Sequence, residues 1–378
     1  MRIQSVIHIL GLLIFFLGIS MLLPLLYSVA CKENESLSLL LSFIITVFSG
    51  LLIFKLTRLK GEIRAREGFA VVSFGWLMMS LFGTLPFLLT NSIDSFTDAF
   101  FETASGFTTT GASILENIEV LPRSVLLWRS QTQWMGGMGI IVLSLAILPI
   151  LGIGGMQLFK AEVPGPTHDK ITPRVRQIAK ILWGVYVTIS ALEIALLKIA
   201  GMSFFDSVCH TFTCMATGGF SPKNSSIGAY NNVYIDVIIT FFMFLAGVNF
   251  TLHYLALKGK PRNYFKDKEF LFYGGILIFA TLYLTADTYI NNYDSVGEAL
   301  RKSIFQSVSI GTTTGFVTAN YSQWSYASQL LLFTLMFFGG CAGSTGGGMK
   351  IVRILLLIKS GIAELKKSIH PSAIISVN

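Results

Sequence analysis

Long apolar runs separated by short polar stretches dominate the chain. A bilayer-crossing helix needs about 20 predominantly apolar residues. The runs predict membrane helices over about Val6–Ala30, Leu37–Leu56, Gly68–Leu89, Ser124–Leu151, Ile181–Ala200, Val233–Leu257, Glu269–Tyr289 and Tyr326–Ile358. The first run follows only Arg2, exceeds a signal-peptide core in length and has no small-residue cleavage site before Cys31, so it is expected to be retained. Pro24 should kink it.

Between the members of three successive helix pairs, the pattern changes in the same way. A short, moderately polar stretch ends in a threonine–glycine loop: Thr108-Thr109-Thr110-Gly111-Ala112, Ala216-Thr217-Gly218-Gly219-Phe220 and Thr312-Thr313-Thr314-Gly315-Phe316. Aligned on Gly111, Gly219 and Gly315, the positions ten upstream are Phe101, Cys209 and Phe305. Eight upstream stand Thr103, Thr211 and Ser307, and six upstream Ser105, Thr213 and Ser309. Asp98 and Asp206 match thirteen upstream, where the third unit has Lys302. Small hydroxyl residues suit a short re-entrant helix buried in protein, whose negative C-terminal end can face a cation. This is an internal repeat of membrane helix, pore helix, loop and membrane helix. Tight loops whose carbonyls replace an ion's hydration shell are the chemistry of a potassium filter. Helix packing alone is the blander reading of any one such loop; three in register favour the filter.

The last predicted helix contains Phe338-Gly339-Gly340-Cys341-Ala342-Gly343-Ser344-Thr345-Gly346-Gly347-Gly348. Each interior glycine costs about 1 kcal/mol relative to alanine in a helix, so this segment is expected to be an intramembrane loop crossing the pathway below the filter, a gate formed by Gly343, Ser344, Thr345, Gly346, Gly347 and Gly348. The corresponding segments Gly136-Gly137-Met138-Gly139 and Ala246-Gly247-Val248-Asn249 read as milder interruptions. The glycine run is not a nucleotide-binding P-loop, because Met349 separates the last glycine from Lys350 and Ile351 follows.

Composition sharpens this picture. The 378 residues are 53% hydrophobic and 13% charged, about half the charge of an ordinary soluble domain. The formal charge is +8, and 20 of the 28 basic residues fall in four clusters, at 55–66, 160–180, 258–268 and 350–367. That bias places the clusters in the cytoplasm and removes the argument for nucleic acid. Cys31, Cys209, Cys214 and Cys341 show no metal or disulfide spacing, and the five histidines are scattered. No cofactor is expected, and no enzyme chemistry. Glu102, beside the first pore helix, suits either cation attraction or packing, and Lys350 and Arg353 suit cytoplasmic anchoring or control of the inner mouth.

The chain resembles the Trk/Ktr/HKT superfamily of potassium transporters, most closely its bacterial TrkH branch. The resemblance rests on the three loops, Lys60-Gly61-Glu62, Arg66-Glu67-Gly68-Phe69 and Gln133-Trp134-Met135-Gly136-Gly137-Met138-Gly139-Ile140. It also rests on Gly154-Gly155-Met156-Gln157-Leu158, Val163-Pro164-Gly165-Pro166, Gly339 through Lys350, and His370-Pro371. It implies an all-α polytopic fold with an N-terminal helix pair (1–67), pore repeat 1 (68–157), a cytoplasmic linker (158–180), pore repeat 2 (181–268) and pore repeat 3 (269–361). Residues 362–378 then begin a fourth repeat whose filter is absent by Asn378. It implies potassium uptake across the bacterial inner membrane, with filter positions Thr109, Thr110, Gly111, Thr217, Gly218, Gly219, Thr313, Thr314 and Gly315. It further implies a homodimer and a cytoplasmic nucleotide-binding regulatory subunit of TrkA type. The alternatives are a non-conducting truncated fragment or membrane scaffold, and a cation symporter coupled to sodium or protons.

Overall fold

The computed structural model describes residues 2–58, 65–147 and 171–369. The motifs at 60–62, 154–158, 163–166 and 370–371 lie outside the described residues. Within them the fold is all-α, with one isolated bridge, Phe338 to Met349. Five helical stretches are long and apolar enough to cross a membrane, and a sharply bent pair makes a sixth. The protein is a multi-pass membrane protein.

The N-terminal pair is α1 (Ile3–Ser20), α2 (Leu22–Cys31) and α3 (Ser36–Leu56). The interruption falls at Met21, three residues before Pro24, because a proline ring displaces the carbonyl four residues earlier. That carbonyl, Ser20 O, accepts from Gln131 Nε2 at 2.8 Å, so the backbone acceptor freed by the proline is paired.

Repeat 1 comprises α4 (Ala65–Gly83), α5 (Leu85–Leu89), the pore helix α6 (Phe96–Phe107) and α7 (Arg123–Ile147). Helix α7 stays helical through Gly136–Gly139, as a mild interruption should. Every residue from Ser124 to Gln133 is buried, so α7 runs inside the bundle, and its Arg129, Gln131 and Gln133 face protein rather than lipid.

Repeat 2 comprises α8 (Ile171–Ile199), the pore helix α9 (Phe204–Met215), α10 (Val233–Ala246) and α11 (Phe250–Leu257). Here the expectation of one helix from Val233 to Leu257 fails: α10 and α11 meet at a 104° bend. Asn249 caps α11 by accepting from Thr251 N at 2.9 Å, which fixes the new direction. The carbonyls freed by the bend bind repeat 3.

Repeat 3 follows a short α12 (Asn263–Lys266). It comprises α13 (Lys268–Asn291), the pore helix α14 (Val296–Gly311), α15 (Tyr326–Leu335) and α16 (Ile351–Ile369). The glycine-rich segment between α15 and α16 is non-helical, as expected. Its base is closed by Gly339 N to Met349 O (3.0 Å) and Met349 N to Phe337 O (3.3 Å).

Candidate functional site: three threonine–glycine loops above a glycine-rich break

The three pore helices end in one shared backbone design. Thr109, Thr217 and Thr313 have φ of 56°, 53° and 62°, and Gly111, Gly219 and Gly315 have φ of 77°, 77° and 82°. The helix ends follow the Schellman pattern, normally closed by a left-handed glycine. Thr110 N reaches Ser105 O, Gly218 N reaches Thr213 O and Thr314 N reaches Ser309 O, each at 2.9 Å. The inner bonds are Thr109 N to Gly106 O (3.0 Å), Thr217 N to Cys214 O (2.9 Å) and Thr313 N to Ile310 O (3.0 Å). Here β-branched threonine occupies the left-handed position, a strained choice costing about 1–3 kcal/mol per residue. Such strain is tolerated when the surroundings over-determine it, and three equivalent loops bear it in the same place.

The aligned aspartates have a local role. Ser95 Oγ accepts from Asp98 N (3.4 Å) and Ser203 Oγ from Asp206 N (3.0 Å), so both aspartates sit in the first turn of a capped pore helix. Helix α14 has no such side-chain cap, and Lys302 instead donates to Thr318 O at 2.9 Å, beyond the third loop.

The loops stand side by side. A Cβ placed on Gly111 would lie 2.0 Å from Gly218 O, and one on Gly219 would lie 1.9 Å from Thr314 O. Loop 1 therefore abuts loop 2, and loop 2 abuts loop 3, each glycine facing the carbonyl before its neighbour's glycine. The same position on Gly315 has no described atom within 4 Å.

Glu102 does not offer an exposed negative charge. It is 1% exposed and pairs with Arg129 Nε at 2.6 Å. It also accepts from Ser113 Oγ (3.0 Å) and Ile114 N (3.1 Å), beyond loop 1. Arg129 continues the brace, donating to Ser221 O at 3.1 Å with its guanidinium 3.6 Å from the Phe220 ring centre. Gln133 completes the contact from α7 to loop 2: its Nε2 donates to Gly218 O (2.8 Å) and its Oε1 accepts from Phe220 N (3.1 Å).

The glycine-rich break lies directly against these loops. Gly347 N donates to Thr313 Oγ1 at 2.7 Å. Thr345 Oγ1 reaches Met215 O (3.0 Å) at the end of α9 and Ala246 O (3.1 Å) at the bend. Cys341 N donates to Gly247 O (2.8 Å), and Phe250 N to Gly343 O (3.1 Å). Glu269, at the start of α13, holds both flanks of the break: its Oε1 accepts from Ala342 N (2.7 Å) and Val352 N (3.0 Å). Lys350 Nζ donates to Gly346 O, which draws it into the loop rather than leaving it as a free surface anchor. The threonines, the glycines and the break predicted from sequence thus converge. Gln133, Arg129 and Glu269 were not singled out there as site residues; for Arg129 and Gln133 the polar positions inside the spanning helix α7 were the available signal. Among the described residues no cluster of side chains suits a bound metal ion.

The profile of the TrkH family, described as cation transport protein, matches residues 38–378. The Trk system potassium uptake protein TrkH of Halomonas elongata is 41% identical over 387 aligned residues, covering 100% of this chain and 79% of its own length. The TrkH protein of Escherichia coli K12 is 40% identical with the same coverage. The crystal structure of the potassium transporter TrkH from Vibrio parahaemolyticus superposes with a TM-score of 0.92 at 38% identity, covering 100% of this chain and 79% of that one. These relatives are transporters, not enzymes. The chain belongs to the TrkH family of cation transport proteins.

Proposed function

We propose that the chain forms a potassium-selective uptake pathway across the bacterial inner membrane, with its basic clusters on the cytoplasmic side. The observation that carries this reading is the threefold recurrence of one strained loop at the C-terminal ends of buried pore helices. Left-handed backbone at Thr109, Thr217 and Thr313, and again two residues on, turns successive carbonyls in a way regular structure does not. Pore-helix dipoles add negative potential at the same place. Potassium dehydrates against carbonyls of Thr109, Thr110, Thr217, Gly218, Thr313 and Thr314, and the glycines let adjacent loops approach. A fourth repeat completes the ring.

The 343–348 segment is the gate in this reading. It is hydrogen-bonded to Thr313 and to the C-terminal end of α9, so passage requires its displacement. Potassium is cargo, and no cofactor takes part. The homodimer and the cytoplasmic nucleotide-binding regulatory subunit belong to the same reading. Rubidium uptake into liposomes holding the purified product of the full gene tests it. Uptake that external potassium competes away and sodium does not is the expected result; uptake equally sensitive to both ions would refute the filter assignment.

A further inference from the structure

Loop 2 departs from its siblings at two positions together. Loops 1 and 3 carry threonine at both, and the two hydroxyls pair: Thr108 Oγ1 with Thr110 Oγ1, and Thr312 Oγ1 with Thr314 Oγ1, each at 2.8 Å. Loop 2 has Ala216 and Gly218 there, so it lacks the hydroxyl pair. Gly218 is not in the left-handed region, so its backbone does not demand glycine. What excludes a side chain is Gln133: a Cβ on Gly218 would lie 2.4 Å from Cδ, 2.5 Å from Oε1 and 2.6 Å from Nε2 of that residue. The amide of Gln133 occupies the space a threonine would fill. It is fully buried and bonded at both ends to loop 2, to Gly218 O and Phe220 N.

We infer that Gln133 is a selectivity-positioning residue, a side chain from α7 that replaces the missing hydroxyl pair of loop 2 and sets the position of the Gly218 carbonyl. This rests on the filter reading above. Gly218 O is the oxygen that faces Gly111 across the seam between loops 1 and 2, so Gln133 also fixes the spacing of that seam. Its N–H competes with an ion for the same carbonyl, because the bond occupies one lone pair of the oxygen and sets the positive end of an N–H dipole beside it. The ring of ligands is therefore chemically uneven: the loop 2 oxygen is shared with an amide.

The test compares rubidium-to-sodium selectivity in liposomes for the full gene product and three variants. Gln133→Met conserves volume but removes both bonds, and selectivity should fall about tenfold, since about 1.4 kcal/mol is one decade and a bond or two of this kind is at stake. The triple variant Gln133→Ala, Ala216→Thr, Gly218→Thr gives loop 2 the hydroxyl pair and vacates the amide's space; it should recover selectivity to within about threefold of the parent. Gly219→Ser is the control for the filter itself. If Gly219→Ser lowers selectivity while Gln133→Met leaves it unchanged, the inference is wrong and the filter reading stands. If neither changes it, the filter reading falls and takes the inference with it. Should Gln133→Met fail to accumulate in membranes, the triple variant decides alone: an assembled but unselective protein overturns the proposal.

Discussion

Replacing Gly219 with alanine tests the side-by-side arrangement of the loops most directly. The new Cβ would stand 1.9 Å from Thr314 O, whereas Cβ contacts below 3.0 Å essentially do not occur. Loops 2 and 3 must then separate by about 1 Å or more at the seam. Alanine must also hold φ of 77°, at a cost of about 1–2 kcal/mol, and overpacking of this kind adds about 1–3 kcal/mol. The sum is about 2–5 kcal/mol. If even its low end falls on the potassium-bound state, discrimination drops more than about tenfold. Gly111→Ala meets Gly218 O at 2.0 Å and should behave alike. Gly315→Ala meets no described atom, so it bears the backbone cost alone unless a fourth loop stands at that flank, in which case it matches the other two. The assay is rubidium uptake into proteoliposomes with sodium as competitor, normalised to folded protein. Gly219→Ala with parental selectivity would show that the loops do not line a common pathway.

Two other perturbations follow from the braces. Arg129→Met strips the partner from the buried Glu102 carboxylate and should lower stability by about 3–5 kcal/mol; adding Glu102→Gln should restore part of it. Thermal unfolding in detergent reads both, and a loss below about 1 kcal/mol would contradict an essential pair. Glu269→Ala removes the acceptor for Ala342 N and Val352 N, bonds to a charged group worth about 1.5–3 kcal/mol each, and should raise resting rubidium leak about tenfold or more. Glu269→Gln keeps the accepting oxygen and should leak less; equal leak from parent and alanine variant would remove Glu269 from control of the loop.

The chain's outline was readable because hydrophobic period and glycine content are local properties. Most of the spans, the three loops and the break after α15 were legible, whereas the expected single helix Val233–Leu257 is a bent pair. The left-handed threonines were not, because helix-end rules assign that position to glycine and the neighbouring loops that abut these threonine loops come from distant parts of the chain. The 104° bend at Gly247 was underestimated for a related reason. One glycine is a weak breaker, and the partners of the freed carbonyls, Cys341 and Thr345, lie about a hundred residues later. Gln133 looked like one polar residue in a motif until Gly218 gave it a purpose. The proline kink was legible, yet its compensation by Gln131 was not, since the two lie 111 residues apart.

Among the described residues a glycine-rich break of this kind stands in one repeat, between α15 and α16, and on the gate reading that has a consequence for cooperativity. A gate made of equivalent elements from every repeat would switch in concert or in partial steps. A single loop has one equilibrium constant. Its grip is a handful of bonds, to Thr313, Met215, Ala246, Gly247 and Phe250 at about 1 kcal/mol net each, and to the Glu269 carboxylate at about 1.5–3 kcal/mol. Taking a two-state element from almost shut to almost open requires a bias of about 5.5 kcal/mol, much the same size. On the gate reading proposed above, a regulator acting on this loop would need neither multiple sites nor steep cooperativity: the work of one binding event, delivered to one loop, would throw the switch.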